Sequence, residues 1–324
     1  MAQPKLSERQ RAANFLKFAT RLPADATPLV RAIARTNPLA ASALADWQAP
    51  IDFYGKVVDQ SNNPLAGANV EFRWAEVPSY TGGNSLDTTS DSEGLFALHG
   101  ARGPDLIVLV TKNGYYTSKA MPDGFIYTPG RPDVFHPDPL NPVVFHLRKK
   151  GKAEPLIVLN STGEGGRDYG GLGTNGAPLE ISFYTGKRVA QGGQFTVQYW
   201  MKPPQNRRGW PFEWHCKVTV PGGGLQSTTE EFPFTAPVQG YQPSIEIDWN
   251  PNAWQQEIKR LFYVHLPDGR YGLVKFELYN SYRDFFCVDV LINPTGSRNL
   301  EYDMHLPGNI MVDQSSGVLL LRTL

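Results

Sequence analysis

The residues able to do acid–base or metal chemistry are widely spaced in this sequence. The six histidines are all at least five residues apart, so no HxH or HExxH pair is present. No Gly-x-Ser-x-Gly nucleophile elbow occurs, and the glycine runs at 192–193 and 222–224 lack the Lys-Ser/Thr that follows a phosphate loop. We therefore predict no catalytic residue and no transition-metal ligand.

One cluster of acidic residues offers oxygen ligands. Asp87, Asp91 and Glu93 lie close together in a Ser- and Thr-rich stretch, and carboxylate oxygens are what calcium prefers. The alternative is that these residues build a tight turn before the strand that follows. We predict no cofactor, with calcium at this cluster as the alternative.

The two cysteines, Cys216 and Cys287, are too few for a disulfide scaffold. Alternation of apolar and polar residues places Cys216 on the apolar face of its strand and leaves Cys287 ambiguous. We expect two free, buried thiols, and a bridge between them stays open.

Aromatic side chains beside amides and arginines indicate binding more than catalysis. Flat apolar rings stack on sugars or on peptide side chains, while amide groups bond hydroxyls. Such residues flank the long loop 120–142 and lie in the Pro- and Arg-rich stretch 203–210. We predict five ligand-binding residues: Tyr116, Tyr127, Asn206, Arg207 and Trp210. By contrast, Trp200 and Trp214 are expected in the core.

Composition narrows the class of protein. In 324 residues, 31 Lys plus Arg balance 31 Asp plus Glu, so no net field favours nucleic acid, and no nucleic-acid partner is predicted. Gly and Pro number 31 and 27, which indicates short strands joined by many turns. No stretch has the roughly 20 apolar residues that span a bilayer, and no signal peptide is evident.

Only residues 1–48 show a helical pattern. Ser7 and Gln10 form a capping box, and Ala12, Phe15 and Leu16 begin a stripe with helical spacing. The segment is locally basic. We interpret it as a helix that packs against the body of the protein and keeps its basic face in solvent, with contact to a membrane surface as the alternative.

From Pro50 the pattern changes to alternating strands and turns. Four signatures follow in order: residues 55–59, residues 63–70 with their Pro-Leu-Ala-Gly turn, residues 89–96, and residues 112–115 with an Asn-Gly turn. Together they resemble the carboxypeptidase regulatory-like domain, and we assign residues 49–150 to it. The resemblance implies a transthyretin-like antiparallel β-sandwich that binds or supports and carries none of the zinc ligands of the peptidase.

The remaining chain is also predicted to be β. Strands are expected at 156–159, 179–184, 194–201, 212–220, 232–235, 244–248, 258–266, 271–279 and 285–292. Their spacing is typical of a sandwich or jelly roll, so residues 151–303 form a second β domain and 304–324 a C-terminal tail. The predicted fold class is mainly β, with an N-terminal helical segment, the first sandwich and this second domain.

The arrangement of both domains resembles bacterial envelope proteins of two β domains. The residues that carry this resemblance are 49–59, 148–151 and 293–301 (Asn-Pro-Thr-Gly-Ser-Arg-Asn-Leu-Glu). Such proteins usually begin with a signal or membrane anchor. We therefore expect a periplasmic or envelope location, with the targeting segment missing from this chain and membrane contact only through that anchor.

The predicted function is non-catalytic: binding of a glycan or a protein partner, or a role as a structural spacer. The alternative is a metal-dependent hydrolase or oxygenase with its site between the two β domains. Intradiol dioxygenases share a related sandwich and hold iron with two Tyr and two His. Here Tyr127 and His136 are the nearest approach to that set, which disfavours such an enzyme.

Overall fold

Every regular element of the described chain is a β-strand. The computed structural model describes residues 47–76, 83–118, 123–160, 169–201, 212–248, 257–279, 285–313 and 318–321. Within these ranges there is no helix long and apolar enough to cross a bilayer. The chain divides into two compact units between Lys150 and Gly151.

The predicted N-terminal helical segment requires a correction to the fold class. Residues 1–46 lie outside the described residues, and the last two residues of the segment, Trp47 and Gln48, form a turn. The described chain is therefore all β rather than mainly β with a helical start, whereas the predicted β-sandwich is confirmed.

The described strands of the first unit form two four-stranded sheets, in the orders β4-β1-β8-β6 and β3-β2-β5-β7. Pairing is antiparallel except between β1 and β8, where Gly55 lies opposite Val143. The strands are β1 (Pro50–Val58), β2 (Asn69–Trp74), β3 (Asn84–Thr89), β4 (Leu95–Arg102), β5 (Asp105–Thr111), β6 (Tyr115–Thr117), β7 (Gly124–Ile126) and β8 (Val143–Lys149).

The core of the first unit is built around Phe53. Its side chain is fully buried, and five other phenylalanine rings lie with centroids 4.8 to 6.2 Å away: Phe72, Phe96, Phe125, Phe135 and Phe145. Edge-on and tilted ring pairs at such distances stabilise a core beyond the area they bury. Both sheets and the 127–142 loop contribute rings, so Phe53 connects all three.

A turn predicted from the sequence fixes the start of β4. The Asp91 carboxylate accepts hydrogen bonds from the backbone N–H groups of Glu93 and Leu95 at 2.9 and 2.8 Å. Gly94 has φ +75°, and a Cβ there would overlap the carbonyl of Val57. Only glycine adopts this conformation at such close approach.

We expect Phe53→Ala to lower the free energy of unfolding by about 3–5 kcal/mol, because it removes the ring that all five neighbours contact. Leu140→Ala is the control, since that side chain is 87% exposed, and it is expected to change stability by less than about 0.5 kcal/mol. Urea unfolding of the full chain measures both. Equal effects of the two substitutions would contradict the central role of Phe53.

The described strands of the second unit form an eight-stranded and a five-stranded sheet. The larger has the order β15-β17-β18-β19-β9-β20-β21 with β10 paired to β19, and the smaller has the order β12-β11-β13-β14-β16. The strands are β9 (Ile157–Asn160), β10 (Tyr169–Gly170), β11 (Leu179–Ile181), β12 (Arg188–Val189), β13 (Phe195–Met201), β14 (Trp214–Thr219), β15 (Gly224–Thr228), β16 (Ser244–Asp248), β17 (Glu257–His265), β18 (Tyr271–Tyr279), β19 (Phe285–Ile292), β20 (Ile310–Asp313) and β21 (Val318–Leu321).

Residues 304–324 were expected to be a tail, and this expectation is wrong for part of the segment. Strand β20 pairs in parallel with β9, with Ile310 opposite Ile157, and β21 pairs with β20. The amide oxygen of Asn309, a residue 1% exposed, accepts the backbone N–H of Leu156 at 3.0 Å. The segment therefore completes the larger sheet.

The stretch 293–301 holds the beginning of the second unit. Asn293, fully buried, donates to the Glu154 carboxylate at 2.8 Å, and Ser297 donates to the other carboxylate oxygen at 3.3 Å. Glu301 accepts the backbone N–H of Gly151 at 2.7 Å. The hydrogen bonds that Glu154 accepts from Asn293, the largest cause, and from Ser297 hold its pKa below the usual range. The motif thus has a structural explanation.

We expect the Glu154 network to make stability depend on acid pH. The pKa of Glu154 in the folded state is below the unfolded value of about 4.3. The ionised carboxylate therefore stabilises the fold in full above that pH, and this stabilisation is lost as the pH falls through the folded-state pKa. Glu154→Gln replaces one carboxylate oxygen by an amide N–H₂ group, which cannot accept a hydrogen bond from Asn293 or Ser297. We expect this substitution to lower the free energy of unfolding by about 1 kcal/mol at pH 7.

The measurement is chemical unfolding of the wild type and Glu154→Gln between pH 7 and pH 3. The difference between them should shrink toward pH 3. Glu93→Gln, at an exposed turn position, is the control and should show no such convergence. A constant difference at every pH would contradict the assignment.

Candidate functional site

Strands β13, β14 and β16 turn one face to the core and the other outward. The inward side chains include Tyr199, Cys216 and Val218, all fully buried. Burial raises the pKa of the Cys216 thiol to about 12, so this cysteine is not a nucleophile at neutral pH. Cys287 is also buried, and both thiols are free, as expected.

The outward side chains form three rows across the strands, because the register pairs them directly. Trp200 lies opposite His215 and His215 opposite Asp248; Gln198 lies opposite Lys217 and Lys217 opposite Glu246; Thr196 lies opposite Thr219 and Thr219 opposite Ser244. We call these nine side chains the row face. Cross-strand neighbours of this kind are in contact range of one another.

The first row joins an aromatic ring to a hydrogen-bonded pair. The ring centroids of Trp200 and His215 are 5.1 Å apart, with their planes at 45°. His215 Nδ1 lies 2.6 Å from the Asp248 carboxylate, which orients the imidazole. The side chain of His215 is 31% exposed and that of Asp248 is 78% exposed, so the row is open to solvent.

Glycine determines where the indole of Trp200 lies. Gly176 has φ +80°, and a Cβ on it would overlap atoms of the indole ring. Gly176 also pairs alongside β13, since its N–H donates to the Tyr199 carbonyl at 2.9 Å and its carbonyl accepts from Gln198 at 2.9 Å. An aromatic ring covering a neighbouring glycine is a known stabilising device in sheets. Here it lays the indole against the backbone of Gly176, in the connection between β10 and β11.

The second and third rows supply hydrogen-bonding groups. Lys217 Nζ lies 3.6 Å from the Glu246 carboxylate, and the two side chains are 33% and 56% exposed. Thr219 and Ser244 are half-buried, Thr196 is only 9% exposed, and all three carry hydroxyl groups. Hydroxyl, amide, ammonium and carboxylate groups therefore follow one another along one face of the sheet.

Of the five predicted ligand-binding residues, the structure describes two, Tyr116 and Tyr127. Asn206, Arg207 and Trp210 lie outside the described residues, in the connection between β13 and β14. Tyr127 is 6% exposed and its hydroxyl donates to the Asp52 carbonyl at 2.5 Å, so its position in the core contradicts a role as a surface contact. Tyr116 is half-buried in the first unit, with Lys150 Nζ 4.9 Å from its ring centroid.

Sequence reasoning missed most of the row face. Trp214 is 5% exposed and was correctly expected in the core, but the same expectation for Trp200 is wrong. The signal was present, because alternation with the buried Phe195, Val197 and Tyr199 places Trp200 outward.

The acidic residues considered as a calcium site have structural roles. Asp91 is occupied as the acceptor of two turn N–H groups, and Asp87 faces Glu71 across β3 and β2. Within the described ranges, no group of three or more His, Cys, Asp or Glu side chains is placed to hold a metal ion.

Comparison with protein-family models and with curated protein sequences gives no match. Membership of the regulatory-like domain family therefore stays a prediction, although the sandwich it implies is present.

Several solved structures show weak similarity to the chain. A streptococcal ancillary pilin is 20% identical over 32% of this chain and 31% of its own, with a TM-score of 0.24. The 3-chlorocatechol 1,2-dioxygenase from Rhodococcus opacus 1CP is 15% identical over 32% and 61%, with a TM-score of 0.24. The shaft pilin SpaA from Lactobacillus rhamnosus GG is 10% identical over 70% and 86%, with a TM-score of 0.23. The match spans less than two thirds of the first two proteins, and TM-scores this low carry no argument about function.

We expect Gly176→Ala to displace the Trp200 indole. Gly192→Ala is the matched control, since Gly192 has the same φ of +80° but nothing within 4 Å of an added Cβ. Both variants lose about 1 kcal/mol through backbone strain. Gly176→Ala should lose a further ~1–3 kcal/mol, as at an overpacked site. Urea unfolding measures the difference, and equal losses would contradict the close contact.

Proposed function

We propose that the chain is a non-catalytic carbohydrate-binding protein of the bacterial cell envelope, and that its ligand lies on the row face. The proposed binding site rests on one observation, the position of the Trp200 indole against Gly176. Trp200 lies at the end of the first row, and hydrogen-bonding side chains of the other two rows follow it along the sheet. The envelope location and the supporting role of the first unit rest on the sequence resemblance alone.

The composition of the row face suits a sugar. The axial C–H groups of a sugar ring make an apolar surface that packs on an indole. Its hydroxyls both donate and accept, and the face offers donors and acceptors side by side in Lys217, Glu246 and the Thr219 hydroxyl. Polar residues on an outward sheet face are ordinary. The positioned tryptophan is what distinguishes this face.

The test is depletion of the purified full chain from solution by cellulose, chitin, xylan and mannan. For whichever polysaccharide binds, Trp200→Ala is expected to weaken affinity at least tenfold, which corresponds to a loss of about 1.4 kcal/mol. Trp200→Phe keeps a ring over Gly176 and should retain much of the binding. Thermal unfolding establishes that each variant is folded.

Tyr54→Ala is the comparison variant, because Tyr54 is a half-buried aromatic on β1 of the other unit. It is expected to change affinity by less than about threefold. Absence of wild-type binding to all four polysaccharides would overturn the proposal. So would a folded Trp200→Ala protein that binds as the wild type does.

A further inference from the structure

We infer that the row face takes an uncharged, extended polysaccharide in the middle of its chain, rather than a single sugar or a chain end. This inference rests on the proposed function and adds the class of ligand. It follows from the length of the face, from the pairing of its ionisable side chains and from the geometry of its strands.

The length of the face exceeds one sugar ring. Trp200 is in the first row and Thr219 is in the third, so their positions are four residues apart along the strand direction. At about 3.4 Å per residue in an antiparallel strand, this separation is about 14 Å. A ligand that stacks on Trp200 reaches the Thr219 hydroxyl only if further units follow the first along the strand direction.

The ionisable side chains on the rows lie in two close pairs. Lys217 lies 3.6 Å from Glu246, and His215 Nδ1 lies 2.6 Å from Asp248. A strongly charged glycan would have to compete with these pairs for its contacts. An uncharged glycan can instead bond the exposed edges of the pairs, because each carboxylate has lone pairs left and the ammonium has N–H groups left.

The strand geometry favours an extended chain. The three rows lie on neighbouring antiparallel strands, and a sheet of such strands has a gentle twist. A ribbon-like chain of β-1,4-linked sugars follows such a surface, whereas a tightly coiled chain touches it at one point.

The experiment measures how affinity depends on the length of the ligand and on side chains of the first and third rows. The probes are β-1,4-linked oligomers of glucose and of N-acetylglucosamine, from two to six units, titrated by calorimetry into the full chain. Affinity should rise with length. Trp200→Ala should weaken binding of every oligomer that binds. Thr219→Val, a change of similar volume that removes the hydroxyl, should weaken the hexasaccharide about threefold to tenfold and leave the disaccharide unchanged.

One control tests whether the effect of Thr219→Val is specific to the third row, and another tests whether the end of the ligand chain contributes to binding. Thr89→Val makes the same substitution on β3 of the first unit, at an exposed position, and should change no affinity. Reducing the hexasaccharide to its alditol opens the terminal ring and should also leave affinity unchanged if the middle of the chain is bound.

The outcomes separate the inference from the proposed function. Equal affinity at all lengths, a Thr219→Val effect that is the same for the disaccharide, or loss of binding on reduction would overturn the inference and leave carbohydrate binding standing. Failure of every oligomer to bind, together with the failure of all four polysaccharides, would overturn both.

Discussion

The cross-strand register of the second unit decides what is core and what is surface. Side chains alternate along a strand, so the pairing of β13, β14 and β16 that buries Tyr199, Cys216 and Ile247 also turns Trp200, His215 and Asp248 outward together. A slip of one residue would exchange the two sets. The apolar core therefore holds the outward rows in place, because the rows cannot shift without moving buried side chains into water.

Glycines beneath aromatic rings appear in both units with different results. In the first unit, Gly55 lies opposite Phe96, and a Cβ there would overlap the phenyl ring, so the pair closes the core around Phe53. In the second unit, Gly176 supports Trp200 on the outward face. The physical contact is the same, a ring against exposed backbone. The face on which it occurs separates the packing role of Phe96 from the binding role proposed for Trp200.

Local patterns were predictable from the sequence where one strand or turn determines them. Strands β16, β18 and β19 have the predicted ends, and the Asp91–Gly94 turn forms as its residues require. The outward position of His215 also follows from alternation. The candidate site was not predictable in full, because it depends on which strands are neighbours. The partners of β14 come from residues 195–201 and 244–248, and no local pattern specifies that pairing.

The parallel pairing of β20 with β9 has a consequence for how the protein is made. Ile310 and Ile157 are adjacent in the sheet but more than 150 residues apart in the chain, and the hydrogen bond between Asn309 and Leu156 spans the same interval. On the ribosome, the first unit has all its described strands once β8 has emerged. One edge of β9 therefore has no partner until residues 310–313 have been made, and an unpaired strand edge can pair wrongly in the meantime.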